Sequence, residues 1–199
     1  MDITLRHVWR SFGEKQVLRD FSHTFPQGEL TVVMGPSGCG KTTLLSLLLG
    51  LQAPDRGEIL GLEGLKKSAV FQEDRLCENT TAQANLRLVN PSLTREQANQ
   101  ALTALGLGDS LSQPVREFSG GMKRRVAILR ALLAPYDVLL CDEPFQGEDP
   151  GQDGDPGHPR RKRGGIFRRA PFALVNRAIL VYHKRTGPRA HITSKERSP

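Results

Sequence analysis

Residues 35–42 read Gly35-Pro36-Ser37-Gly38-Cys39-Gly40-Lys41-Thr42, a glycine-rich turn that closes on a lysine and a hydroxyl. This spacing, G-x-x-x-x-G-K-[ST], is chemistry for phosphate. Small residues let the backbone approach closely, so that successive N–H groups and a helix N-terminus point at negative charge. Lys41 is placed to reach the β- and γ-phosphates of a nucleoside triphosphate, and the Thr42 hydroxyl to ligate Mg²⁺. Gly35, Pro36, Ser37, Gly38, Cys39, Gly40, Lys41, Thr42 and Thr43 are therefore the candidate nucleotide contacts. A second chemical pair ends the run Val138-Leu139-Leu140-Cys141-Asp142-Glu143-Pro144. Two carboxylates at the end of an apolar strand suit a metal-facing Asp142 and a water-polarising Glu143.

These groups need scaffolding, and the flanking sequence supplies it. Leu30–Met34 is a β-rich run before the loop, and Thr43–Leu49 is a helix-forming run after it that stops at Gly50. Upstream, Ile3–Trp9 and Gln16–Phe25 read as strands around a turn at residues 13–15. Residues 57–61 and 68–71 read as two further short strands. Between 74 and 133 the pattern turns helical. Thr94 with Gln97 forms a capping-box pair for a helix through Leu105, and Ser119 caps a helix over 120–133. Val138–Cys141 is continuously apolar, as a strand buried on both faces should be. Strands alternating with helices predict an α/β fold. Its core is of the P-loop NTPase kind, with a mostly parallel sheet, an N-terminal antiparallel β region and a helical insert.

Composition narrows the setting. Three cysteines (Cys39, Cys77, Cys141) in 199 residues, with no C-x-x-C spacing, argue against a disulfide framework or a zinc site. Residues 1–10 do not form a signal peptide, and no apolar run approaches the roughly 20 residues that span a bilayer. A role at a membrane therefore implies docking on another polypeptide. The net charge of +7 is unevenly spread. Residues 1–157 hold 16 basic against 20 acidic residues, whereas 158–199 hold 12 basic residues and the single acid Glu196.

Glu117-Phe118-Ser119-Gly120-Gly121-Met122-Lys123-Arg124-Arg125 offers a second anion site: a hydroxyl and two glycines at a helix start. Read alone, Ser-Gly-Gly could simply cap a helix. With the phosphate loop before it and Asp142-Glu143-Pro144 after it, the sequence resembles the nucleotide-binding subunit of ABC transporters. That family's signature reads L-S-G-G-Q; here Phe118 replaces the usual leucine and Met122 the usual glutamine. On the same resemblance Gln72, in Val70-Phe71-Gln72-Glu73-Asp74, matches the glutamine that touches Mg²⁺ and joins the core to the helical insert. Phe12 lies where the family places an aromatic for stacking on adenine, although an ordinary apolar position explains it nearly as well. Asp149 aligns with an aspartate that follows the acidic pair. The resemblance covers residues 2–149, and the compact 31-residue spacing from Lys41 to Gln72 points to importer ATPases of the nitrate/sulfonate/taurine type.

The resemblance implies a function. Two such domains close head to tail over two ATP molecules, each held between one subunit's phosphate loop and the other's signature. The implied partners are a second copy of the chain and a membrane-spanning permease, with no direct membrane span. The implied cofactors are ATP and Mg²⁺, and the implied location is the cytoplasmic face of the cell membrane. Glu143 and Gln72 are the expected catalytic groups. Thr42, Gln72 and Asp142 are the expected metal ligands, and Ser119, Gly120 and Gly121 the contacts to the partner's nucleotide. Lys123-Arg124-Arg125 read as a solvated or partner-facing group, and no nucleic-acid partner is expected. The alternative is a chain that binds nucleotide without turning it over.

That alternative arises because the family pattern stops after Asp149. Residues 150–199 are rich in Gly, Pro and Arg, and the histidine that should contact the γ-phosphate is not evident. Ile179–Lys184 is similar to the expected strand and loop, with His183 as its histidine, but a surface histidine is the more economical reading. The tail could be disordered and basic, a divergent folded end, or the product of a shifted reading frame near Gly147. Composition, charge and motif content all change at one point, which favours the third.

Overall fold

The structure is a computed structural model that describes residues 1–144 and the backbone of 178–183. These residues fall into two units. One contains 1–71, 136–144 and the strand at 178–183; the other contains 72–135.

The first unit carries two sheets. Strands β1 (Ile3–Phe12) and β2 (Lys15–Phe25) form an antiparallel hairpin, and β4 (Arg56–Leu60) pairs with the other edge of β1. The second sheet is parallel. It is built from β3 (Leu30–Gly35), β5 (Lys67–Val70), β6 (Val138–Asp142) and β7 (Ala178–His183), in the order β3-β7-β6-β5. All five residues of β6 are buried, as its unbroken apolar run requires. Helix α1 (Lys41–Leu49) buries Leu44, Leu45, Leu47 and Leu48, and ends at Gly50, whose φ of 76° suits a residue without a side chain. These leucines share a core with Ile3, Leu5, Val8, Phe25, Val33, Val138 and Leu140. Each fully buried aliphatic side chain contributes roughly 1.5–3 kcal/mol relative to leaving it in water.

The second unit is helical: α2 (Ala82–Val89), α3 (Arg95–Ala104) and α4 (Gly120–Leu133), around a core of Leu86, Leu102, Leu107, Val115, Phe118 and Val126. Every N-terminus is capped by a hydroxyl. Thr81 accepts from Ala84 N, Ser119 accepts from Met122 N, and Thr94 and Gln97 close the reciprocal capping box. Asn85, fully buried, ties α2 to the chain before it. Its Oδ1 accepts from Cys77 N, and its Nδ2 donates to Cys77 O, Thr80 Oγ1 and Thr81 O.

Strand β7 overlaps Ile179–Lys184, the stretch similar to the family's expected strand and loop. Its backbone lies between β3 and β6, with His183 opposite Gly35 and Val181 opposite Asp142. The 178–183 stretch of the tail thus occupies the middle of the parallel sheet. The rest of residues 145–199, including Asp149, lies outside the described residues.

Candidate nucleotide site

In an open parallel sheet, ligands gather where the strands end. Gly35, Asp142 and His183 all stand at the C-terminal ends of their strands, and registers running through β7 align those ends. The phosphate loop leaves β3 at this edge. Gly38 (φ 75°) and Gly40 (φ 103°) adopt left-handed conformations that side chains resist. Two of the glycines are also held by space: a Cβ on Gly35 would sit 2.6 Å from Cys39 Sγ, and one on Gly40 would sit 2.9 Å from Val17 Cγ1. The loop is therefore folded tightly against β2.

Lys41 is buried and donates to the carbonyls of Gly35 and Pro36 at 2.9 and 2.8 Å, which holds the ammonium over the loop. Unlike α2, α3 and α4, α1 has no side-chain cap at its N-terminus. A phosphate at that N-terminus would complement the helix dipole. Thr42 Oγ1 donates to Asp142 Oδ2 at 2.9 Å. Two hard oxygen donors side by side fit Mg²⁺, which is held by one or two protein groups with phosphates and water completing the shell. Glu143 follows Asp142, is 3% exposed and has a φ of 46°. A left-handed, buried glutamate is a strained placement of the sort that function sustains.

Phe12 ends β1 at the tip of the hairpin and is 46% exposed. The hairpin returns through Val17, whose side chain and carbonyl line Gly40, so the tip stands beside the phosphate loop. Sequence reasoning missed what holds Phe12. The Arg10 guanidinium lies 5.0 Å from the ring centroid, and its Nη1 donates to Asp55 Oδ1 at 2.6 Å. Asp55 Oδ2 accepts from Ser11 N at 2.7 Å, and Asp55 N donates to Trp9 O. The Ser11 N–H, with Arg10 beside it, holds the Asp55 carboxyl below its ordinary value. Contacts across 44 or 45 residues leave no local pattern to read.

Gln72 and Ser119–Gly121 belong to the helical unit. Ser119 caps α4 as the bland reading proposed, but the two glycines that follow are exposed, and a Cβ at either would meet nothing within 4 Å. The cations after them are partly exposed and engage groups of the same unit. Lys123 pairs with Glu78 at 2.6 Å, and Arg125 donates to Leu105 O at 2.7 Å. Arg124 pairs with Asp74 at 3.2 Å, its side chain only 12% exposed, and also donates to Gln72 O. Arg130 adds bonds to the carbonyls of Asp74 and Arg75. Burial at that site lowers the Arg130 pKa against the pull of its acidic neighbours. The segment that begins at Gln72 is thus pinned to the helix that begins at Ser119.

A phosphate loop, a hydroxyl–carboxylate pair and a buried glutamate at one sheet edge define a P-loop nucleotide-binding protein. The ABC transporter family model matches residues 18–146, and the chain belongs to that family. It is 40% identical over 149 residues to the aliphatic sulfonates import ATP-binding protein SsuB 3 of Rhodococcus jostii, a match covering 74% of this chain and 55% of that protein. It is 38% identical over 147 residues to the taurine import ATP-binding protein TauB of Pseudomonas aeruginosa, covering 68% and 56%. The chain spans about half the length of the curated relatives it matches. Among solved structures, a bacterial Atm1-family ABC exporter with ATP bound superposes with a TM-score of 0.74 at 23% identity, covering 92% of this chain and 34% of that one. That likeness establishes the fold.

Proposed function

We propose that the chain binds and hydrolyses ATP to drive an ABC importer of the sulfonate/taurine type, docked on a permease at the cytoplasmic face of the membrane. The observation that carries this reading is the 2.9 Å contact of Thr42 with Asp142 beneath a loop that holds Lys41 inward. Lys41 and the α1 N-terminus take the phosphate charge. Thr42, Asp142 and Gln72 would hold Mg²⁺, which would supply neutralisation of phosphate charge during transfer. Glu143 orients and deprotonates the attacking water. The open space at Gly120 and Gly121 supports a site completed by a second copy, whose phosphates approach the α4 N-terminus. The nucleotide-binding domain takes in residues 1–144 together with strand β7.

Glu143→Gln tests the assignment. The variant should bind ATP as the parent does, lose phosphate release by at least about 100-fold, and accumulate as an ATP-bound dimer on size exclusion. Turnover at the parent rate would remove Glu143 from the mechanism.

A further inference from the structure

We propose that Asp55 and Arg10 are positioning residues for a base-stacking ring. Asp55 fixes both Arg10 and the Ser11 backbone, and Arg10 covers one face of Phe12, which leaves the other face for adenine. The inference rests on the ATP-binding reading above.

Three observations converge on it. Phe12 sits at a hairpin tip with nearly half its surface open, and β2 carries that tip to the phosphate loop through Val17 and Gly40. An unsupported ring at such a tip would be free to rotate, and stacking is effective only when the ring is held parallel to the base. Here the guanidinium, 5.0 Å from the centroid, is itself held by Asp55 at 2.6 Å, while the other oxygen of the same carboxylate fixes the backbone one residue before the ring. One carboxylate therefore sets both the backbone and the packing partner of Phe12. An ion pair as exposed as this one contributes little to stability. Its consequence is placement. A cation on one face of the ring also leaves a polarisable stack to receive a purine on the other.

The test separates base from phosphate by titrating the full chain, with Mg²⁺, against ATP and against inorganic tripolyphosphate in a calorimeter. The parent should bind ATP about ten-fold more tightly than tripolyphosphate, and Phe12→Ala should abolish that preference. Asp55→Asn and Arg10→Met should each weaken ATP binding by about five-fold while tripolyphosphate affinity stays unchanged. Asp55→Asn on a Phe12→Ala background should cost nothing further, since Asp55 acts through the ring. Arg10→Lys should restore part of the preference. The inference is overturned if Asp55→Asn and Arg10→Met keep the parent's preference, or if they weaken both ligands equally. A Phe12→Ala variant that still prefers ATP also overturns it, while leaving the phosphate loop intact. A parent chain that binds neither ligand would overturn the ATP-binding reading as well.

Discussion

Gly121→Ala should separate stability from function in opposite directions. Gly121 is the second residue of α4, has helical φ, and would meet no atom within 4 Å if given a Cβ. Alanine is better than glycine in a helix by 0.8–1.0 kcal/mol in interior positions. Near the N-terminus about half of this is expected, roughly 0.5 kcal/mol of stabilisation. For a chain of this size each kcal/mol moves Tm by about 2–4 °C, so the nucleotide-free variant should melt about 1–2 °C higher. The Ser119 cap and the Arg125 bond to Gly121 O both survive the change. On the proposed composite site the added methyl group narrows the approach of a second copy's phosphates, and ATP-driven dimerisation and phosphate release should fall at least about ten-fold. Thermal unfolding and a phosphate-release assay on one preparation decide the matter. A lower Tm would mean that the glycine serves this chain's own packing. Parent-level turnover would mean that the α4 N-terminus lies outside the reacting site.

Two further outcomes follow from side chains outside the phosphate loop. Asn85→Ala should destabilise the helical unit by about 2–4 kcal/mol, because a buried amide that satisfies both backbone groups of Cys77 is removed. A denaturant midpoint that falls with unchanged slope would register this loss. The carboxylate of Asp55 is favoured in the folded chain, so it adds stability above its unfolded value of about 3.9 and loses it as pH falls through the lower folded value. The gap in unfolding midpoint between the parent and Asp55→Asn should accordingly close as the medium is acidified from pH 5 to pH 2.

What the sequence disclosed was what local chemistry encodes. The strand–loop–helix around Lys41, the three hydroxyl caps at Thr81, Thr94 and Ser119, and the apolar run of β6 each follow from residues within one turn or one strand of each other; only the cap at Thr81 went unread. The contacts that escaped are between residues far apart in the chain. Nothing adjacent to Asp55 announces Ser11 as its partner, and the cations after Ser119 look solvated until Gln72–Arg75 is folded against them. The place of β7 was obscured for a different reason. Ile179–Lys184 is similar to an expected strand, but the strongly basic composition around it favours a shifted frame, and its place between β3 and β6 rests on pairing with residues far back in the chain.

That pairing has a consequence for biogenesis. Strand β3, which carries the phosphate loop, has β7 as its only strand neighbour in the described parallel sheet, and β7 begins 36 residues after β6 ends. At about 5–20 residues per second, a ribosome needs roughly 2–7 s to make that stretch. Until β7 is in place, the edges of β3 and β6 that pair with it lack their strand partner, and unpaired edges are templates for foreign strands. The nascent chain is thus most exposed to misassembly just after its last acidic motif has been made. The strand that leads into the phosphate loop therefore gains its partner in the parallel sheet only after β7 has been made.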